Sequence, residues 1–402
     1  RPAGAPATAW RAGTGKTTAI MAHLLRIAKE KELRHIFVVL PYTNIIKQSV
    51  KIYRKALVLA DEDPEEIIAE HHHQADFSNI NLRGYATLWK SPIIVTTAVQ
   101  FFETLASHHP ARLRKLHELP GSAVFVDESH ASVPLYMWPQ IWEWLNVFSN
   151  QWKGFIILAS GSLLRFWEIN NFISSEKTIN ITRLPADANV SQKMHNQEKS
   201  RVIPKREIKP FTGDSIIEWI TSKEGPRLVI MNTVQSAAML AMSMRQKGYE
   251  AMHLSTALAP IHRDRIVERV NELLKYKLRN WTLVATSCVE AGLNFSFRTG
   301  FRESCSVTSL MQVSGRVNRN NEYKTAEVWD FRISDPPLYN DNPSFLLSKK
   351  ILDKIFDENS FCCLSTEDVL RKAIALEITE SKNEKAKEIL KKEKEMEYPD
   401  VS

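Results

Sequence analysis

The sequence has few or none of the features that mark disulfide-rich, zinc-bound and membrane-embedded proteins. Its 402 residues include four cysteines, with no Cys-x-x-Cys pair and no zinc-ligand spacing. This pattern excludes a disulfide scaffold and favours reduced thiols in a cytoplasmic protein. No apolar run approaches the roughly 20 residues that a membrane-spanning helix requires, and we expect no signal peptide. We therefore expect no membrane partner.

The composition is that of an ordinary globular protein long enough for two full domains. Hydrophobic residues make up 44% of the chain and charged residues 25%. Lys and Arg total 53 against 46 for Asp and Glu, which gives a formal net charge of +7. This excess fits a polyanionic partner, but it discriminates poorly because many unrelated enzymes are as basic.

Short apolar runs alternate with helical patterns, which predicts βαβ units around parallel sheets. In the first half of the chain the strand candidates are residues 35–40, 92–95, 123–126 and 155–158. In the second half they are residues 228–231, 282–285 and 328–331. We therefore predict an α/β fold with two lobes and a helical extension, which we expect to be incomplete. The predicted parts are a first lobe at 1–184, a connector at 185–210, a second lobe at 211–336 and the extension at 337–402.

A glycine-rich loop near the start of the chain has the pattern of a phosphate-binding loop. The residues predicted to bind ATP are Gly13, Thr14, Gly15, Lys16, Thr17 and Thr18. The glycines would let consecutive backbone N–H groups surround phosphate oxygens, while Lys16 reaches the β- and γ-phosphates. Thr17 would hold Mg²⁺. One departure from the pattern is Trp10, which stands where glycine or alanine is usual.

An acidic motif follows the predicted strand at 123–126. Asp127 would bind Mg²⁺, and Glu128 would orient and deprotonate the attacking water. His130, with Ser160 and Ser162 after the next strand, would couple nucleotide hydrolysis to nucleic-acid contacts. The competing interpretation is an acidic turn without a catalytic role.

Polar residues at the ends of other predicted strands are suited to contacts with a phosphate backbone, which position a strand without reading its bases. They are Pro41, Thr43, Thr96 and Thr97 in the first lobe, and Asn232, Thr233 and Thr286 in the second. Each could instead be a plain polar cap.

The second lobe carries the candidate arginine fingers. Gln312, Arg316 and Arg319 lie at a spacing that predicts one face of a helix, directed at the nucleotide bound by the first lobe. Gly292 and Asn294 are predicted to lie against the nucleotide, although Asn294 stands where an acidic residue is usual. The competing interpretation is a surface helix with ion pairs.

Three adjacent histidines, residues 71–73, stand near Asp76 and suggest a metal site. Adjacent histidines cannot all face one metal from a regular element, so we interpret them as part of a loop or lobe surface. The chain also has no adjacent His-Asp pair of the kind that marks an HD-type metal nuclease.

In this order, the motifs resemble those of superfamily-two DExH helicases. The finer resemblance is to the helicase of type I CRISPR interference, which the Cascade complex recruits. It spans about residues 13–331 and is carried by residues 40–46, 70–73, 96–103, 289–292 and 315–319. It implies two RecA-like lobes, ATP with Mg²⁺, and 3′-to-5′ translocation on single-stranded DNA that feeds a nuclease. We expect that HD nuclease upstream or in another polypeptide, and a C-terminal accessory domain after this chain.

Two alternatives stay open. The motor could act on RNA or on repair intermediates instead of CRISPR targets. The chain could also be a clamp that binds nucleic acid without hydrolysing ATP, which Trp10 would favour because it disturbs the phosphate-loop pattern.

Overall fold

A computed structural model of the chain describes residues 7–8, 16–41, 43–72, 84, 86–159, 166–169, 172, 181, 201–290, 293, 295–335, 342–381 and 383–397. Side chains are described throughout these ranges except at residues 7–8, 16–18, 44 and 130–131. The chain divides into two compact units. The first comprises residues 1–188 and 381–402, and the second comprises residues 189–380.

The described part of the first unit contains a six-stranded parallel sheet in the order β1-β6-β5-β2-β4-β3. Its strands are β1 (Ala7–Thr8), β2 (Ile36–Leu40), β3 (Ile68–His71), β4 (Ile93–Thr97), β5 (Ala123–Val126) and β6 (Phe155–Ala159). The four strands predicted in this lobe are all present. Residues of β2, β4, β5 and β6 are buried along their whole length. Such strands read as continuous apolar runs because helices cover both faces of a parallel sheet.

The helices of the first lobe lie between these strands in the chain. They are α1 (Lys16–Glu30), α2 (Thr43–Leu57), α3 (Pro64–Ile67), α4 (Ala98–Ala106), α5 (Pro110–Leu113), α6 (Ser129–Ser132) and α7 (Trp138–Asn150). Short 3₁₀ turns occupy Leu116–Glu118, Leu135–Met137 and Phe166–Glu168. Apolar faces of α1 and α2 pack on the sheet through Leu24, Ile46 and Tyr53, which are buried in one core with β2 and β5.

The described part of the second unit contains another six-stranded parallel sheet, in the order β7-β12-β11-β8-β10-β9. Its strands are β7 (Val202–Arg206), β8 (Arg227–Ile230), β9 (Ala251–Leu254), β10 (Thr282–Ala285), β11 (Thr299–Glu303) and β12 (Ala326–Phe331). Strand β7 differs from the prediction, which gave residues 185–210 to a connector. It pairs in parallel with β12 and therefore belongs to this sheet.

Helices cover both faces of this sheet and continue into the C-terminal region. They are α8 (Gly213–Ser222), α9 (Val234–Gln246), α10 (Pro260–Lys275), α11 (Val307–Ser314), α12 (Leu346–Asp357), α13 (Ser360–Cys363) and α14 (Thr366–Glu380), with 3₁₀ turns at Ser287–Val289 and Pro343–Phe345. Helices α12 and α14 share a core with the second sheet through Ile351 and Val369. The predicted α/β class and helical C-terminal region are confirmed.

The last described helix, α15 (Glu384–Lys394), belongs to the first unit, so the chain passes between the units twice. It packs against α7, where Trp144 Nε1 donates a hydrogen bond to Glu393 Oε1 at 2.6 Å. The predicted extension at 337–402 is thus divided between the two units. Within the described residues, no helix combines the length and the apolar character needed to cross a membrane.

Candidate nucleotide and nucleic-acid sites

The acidic motif forms a tight turn at the carboxyl end of β5. The backbone N–H of Asp127 donates to Val39 O at 2.9 Å, which continues the pairing of β5 with β2. Asp127 Oδ1 accepts a hydrogen bond of 2.8 Å from the N–H of Glu128. Glu128 has a φ of 45°, a left-handed conformation that a non-glycine residue adopts at a cost. Both carboxylates are half-buried at the edge of the sheet, where open α/β sheets bind ligands.

Asp127 is the described residue that the sequence predicts to bind Mg²⁺, and its surroundings limit how it could do so. Burial and the negative charge of Asp127 both raise the pKa of Tyr53, so this phenol stays protonated near the carboxylate. Among the described residues, no group of three or more His, Cys, Asp and Glu side chains could hold a metal. Mg²⁺ commonly uses one or two carboxylates together with substrate phosphates. Asp127 therefore suits Mg²⁺ only when nucleotide phosphates complete its coordination.

The phosphate loop lies mostly outside the described residues. The residues of the loop that lie outside the description are Trp10, Gly13, Thr14 and Gly15, together with the side chains of Lys16, Thr17 and Thr18. The predicted coupling residues Ser160 and Ser162 and the side chain of His130 lie outside it as well. What the structure shows is that Lys16 is the first residue of α1, whose first turn contains no acidic residue. A helix N-terminus of this kind favours anions.

The polar residues after β2 and β4 differ in accessibility. Pro41 and Thr43 are half-buried around the start of α2. Thr96 is fully buried, and its hydroxyl donates to His71 O at 2.9 Å, so this side chain faces the interior and not a phosphate as predicted. The Thr97 hydroxyl caps α4 by accepting from the N–H of Gln100 at 3.1 Å.

A buried lysine beside these threonines was not predicted from the sequence. Lys115 is 5% exposed, donates to Gln100 Oε1 at 3.1 Å, and lies 4.4 Å from the ring centre of Trp89. Burial, more than any other cause, lowers its pKa to about 8. Its neighbours in the sequence are mostly basic and polar, which is typical of a solvated turn, so the sequence carries no signal for this position.

The first residue of the histidine run, His71, contacts the same Trp89 side chain. Trp89 Nε1 donates to His71 Nδ1 at 3.0 Å, which requires a neutral imidazole. Burial, followed by the charge of Lys115, lowers the pKa of His71 to about 3. His72 is buried, while His73 and Asp76 lie outside the described residues. His71 is therefore an internal hydrogen-bond acceptor.

In the second unit, the two candidate arginine fingers follow a helix and are not part of it. Helix α11 ends at Ser314, with Gln312 half-buried in its last turn. Arg316 and Arg319 lie in the turns that follow, so the prediction that they share one face of a helix was wrong. The helix stops because the chain after Gly315 turns to bridge Val317 with Phe297. Arg316 donates to the backbone carbonyl of Glu290 from Nη2 at 2.9 Å and from Nε at 3.3 Å.

An asparagine that the sequence reasoning missed fixes this arginine loop. Asn318 is fully buried and has a φ of 47°, which asparagine tolerates better than most residues. Its side chain donates to Tyr323 O at 2.7 Å and accepts from Tyr323 N at 3.0 Å. Arg201 donates to Val317 O at 3.0 Å. These bonds hold the backbone between Arg316 and Arg319.

The predicted nucleic-acid contacts of the second unit have internal partners. Asn232 donates from Nδ2 to Ser304 O at 3.0 Å, and its N–H donates to Glu303 Oε2 at 2.7 Å. Thr233 caps α9 by accepting from the N–H of Ser236 at 3.0 Å. Thr286 is 8% exposed at the end of β10, while Gly292 and Asn294 lie outside the described residues.

Comparisons with known proteins agree with this architecture. Residues 8–158 match the family model of the type III restriction enzyme, res subunit. Residues 223–322 match the C-terminal model of the CRISPR-associated nuclease/helicase Cas3. Each match covers less than half of the chain. With the two parallel sheets, they show that the chain is similar to superfamily-two helicases and shares the fold of two tandem RecA-like lobes.

The particular resemblance is to Cas3. The Cas3 nuclease/helicase of Haloferax volcanii is 19% identical over 424 residues, covering 80% of this chain and 45% of the relative. T. fusca Cas3 with ATP has a TM-score of 0.71 at 16% identity, covering 92% of this chain and 50% of that one. A chain of a pre-nicking CRISPR RNA-guided surveillance complex has a TM-score of 0.64 at 16% identity, with coverages of 92% and 49%. The chain spans about half the length of these relatives. The predicted resemblance to a Cas3-like helicase is confirmed.

Proposed function

We propose that this chain is the ATP-driven motor of a type I CRISPR interference system, which moves on single-stranded DNA and unwinds target DNA. The observation that carries the proposal is the left-handed turn that sets Asp127 and Glu128 at the carboxyl edge of a RecA-like sheet. Ligands bind at that edge of open α/β sheets, and left-handed backbone at a non-glycine residue is concentrated at functional sites, so both features support a water-activating role for these carboxylates.

The proposed chemistry assigns one task to each group. Lys16 neutralises the β- and γ-phosphates, and Asp127 with Thr17 holds Mg²⁺, which supplies further neutralisation when bound. Glu128 orients the attacking water and accepts its proton. Arg316 and Arg319 stabilise charge on the transferring phosphoryl group, and Gln312 assists them. Arginine fingers of this kind contribute on the order of 10³–10⁵ in rate.

The proposed partners follow from the resemblance to Cas3. The similar proteins are described as a nuclease/helicase and as a part of an RNA-guided surveillance complex. We therefore propose that a Cascade-type complex delivers the DNA strand to this motor. We also propose that an HD nuclease, upstream in the same polypeptide or in another, cuts the strand that the motor moves.

The test is ATP hydrolysis measured with and without single-stranded DNA, using RNA of equal length for comparison. We expect DNA to stimulate the wild type, and Lys16→Ala and Glu128→Gln each to abolish turnover. Glu66→Gln, the same change at an exposed carboxylate of α3, is the matched control and should keep activity. Equal turnover in all variants would refute the proposal. Stronger stimulation by RNA would favour an RNA motor, and strand binding without turnover would favour a clamp.

A further inference from the structure

We propose that Arg302 is a positioning residue of this motor. It links Asn232, whose contact with nucleic acid is part of the same proposal, to Glu290, whose backbone carbonyl holds Arg316, and so couples nucleic-acid binding to hydrolysis. The inference rests on the proposed function. Neither the motif pattern nor the comparisons assign a role to Arg302.

Arg302 lies at the centre of a buried polar network beneath the carboxyl edge of the second sheet. It belongs to β11 and is 3% exposed. Its Nε lies 2.9 Å from Glu290 Oε1 and 2.8 Å from Ser309 Oγ. Its Nη1 donates to Asn232 Oδ1 at 2.7 Å and to Glu303 O at 2.9 Å. One guanidinium thus binds residues after β8, residues after β10 and the start of α11.

Glu290 connects this network to the arginine finger through two different groups. Its carboxylate, 8% exposed, binds Arg302 and accepts from Ser309 Oγ at 2.5 Å. Its backbone carbonyl accepts both hydrogen bonds from Arg316. Burial raises the pKa of Glu290, while Arg302 and Ser309 favour the ionised form. A movement of Arg302 that shifts Glu290 would therefore also shift the acceptor of Arg316.

Stability alone gives little reason for an arginine at this position. A buried ion pair is often no more stabilising than apolar residues of the same volume, because both charges must be desolvated. What arginine adds is a rigid set of donors that binds several acceptors in fixed directions. Lysine could neutralise Glu290, but its single ammonium could not keep the Asn232 and Glu290 contacts in the same geometry.

The test compares Arg302→Lys with wild type for ATP turnover with and without single-stranded DNA, and for affinity towards a fluorescent ATP analogue. We expect the stimulation by DNA to fall by about tenfold, a coupling effect of ordinary size. The affinity for the analogue should change by less than about threefold, because Arg302 acts through other residues.

The matched control is Arg206→Lys. Arg206 also binds two acidic residues of the second unit, the buried Asp330 at 3.0 Å and Asp353 at 2.7 Å. ATP turnover of the Arg206→Lys variant should still be stimulated by DNA as in wild type. If Arg302→Lys does not fold, the double variant Arg302→Met with Glu290→Gln removes both buried charges and keeps the backbone acceptor of Arg316. It should show the same loss of stimulation.

The outcomes separate the two proposals. Full stimulation in the Arg302 variants would overturn the positioning role, as would an equal loss in Arg206→Lys. A wild type that hydrolyses ATP without any response to nucleic acid would overturn the proposed function and this inference together.

Discussion

Acid should destabilise the first unit through one histidine. His71 accepts a hydrogen bond from Trp89 and has a pKa of about 3, against 6.5 for an exposed histidine. The folded pKa is lowered, so the unfolded chain binds the proton first. The stability that His71 contributes is therefore complete above pH 6.5 and is lost as the pH falls from 6.5 towards 3. Between pH 7 and pH 4 the loss amounts to about 3 kcal/mol.

The assay compares wild type with His71→Gln by urea unfolding at pH 7 and pH 4. Glutamine keeps an acceptor for Trp89 but does not titrate. Hydrogen–deuterium exchange of β4, which pairs with β3 at His71, identifies the transition of the first unit. The free energy of unfolding should fall by about 3 kcal/mol more in wild type than in the variant. Other carboxylates and histidines titrate in both proteins and cancel in the difference. Equal pH dependence in the two proteins would refute the reasoning.

Three further predictions concern substitutions in the first unit. Lys115 has a pKa of about 8, so keeping it charged at pH 7 lowers the free energy of unfolding. Between pH 7 and pH 10, urea unfolding should show that the free energy of unfolding of wild type rises by about 2 kcal/mol relative to that of Lys115→Met. A Cβ on Gly154 would lie 2.0 Å from the buried ring of Phe148, so Gly154→Ala should cost about 1–3 kcal/mol and lower Tm. Trp144→Phe removes the hydrogen bond to Glu393, so trypsin should cleave α15 about tenfold faster; an unchanged rate would show that this bond does not hold the helix.

The strands of both lobes could be predicted where their sequences form continuous apolar runs. Strand β11 is buried along its whole length but was missed, because its sequence contains polar and charged residues. The apolar runs at β2, β4, β5 and β6 are continuous because helices cover the sheet on each side. Strand β7 was missed because it lies at an edge of its sheet. It pairs only with β12 among the described strands, and most of its residues are partly exposed, so its sequence carries no apolar run.

The site could be predicted only where its residues are adjacent in the sequence. The Asp127–Glu128 turn follows directly from an acidic pair after a buried strand. The Arg302 network joins Arg302 to Glu290, 12 positions away, and to Asn232, 70 positions away. No local sequence pattern predicts contacts between residues so far apart. The prediction that the helix continues through Arg316 was wrong for a similar reason. Its end is set by a bridge from Val317 to Phe297, a contact between distant residues.

We propose above all that Arg316 takes part in the hydrolysis of ATP. The most direct measurement is the single-turnover hydrolysis rate of Arg316→Ala with saturating ATP and single-stranded DNA, together with nucleotide affinity. Arg269→Ala, at an exposed arginine of α10, is the control. We expect Arg316→Ala to lose about 10³-fold or more in rate while binding nucleotide within a few-fold of wild type. A rate equal to that of Arg269→Ala would contradict the account.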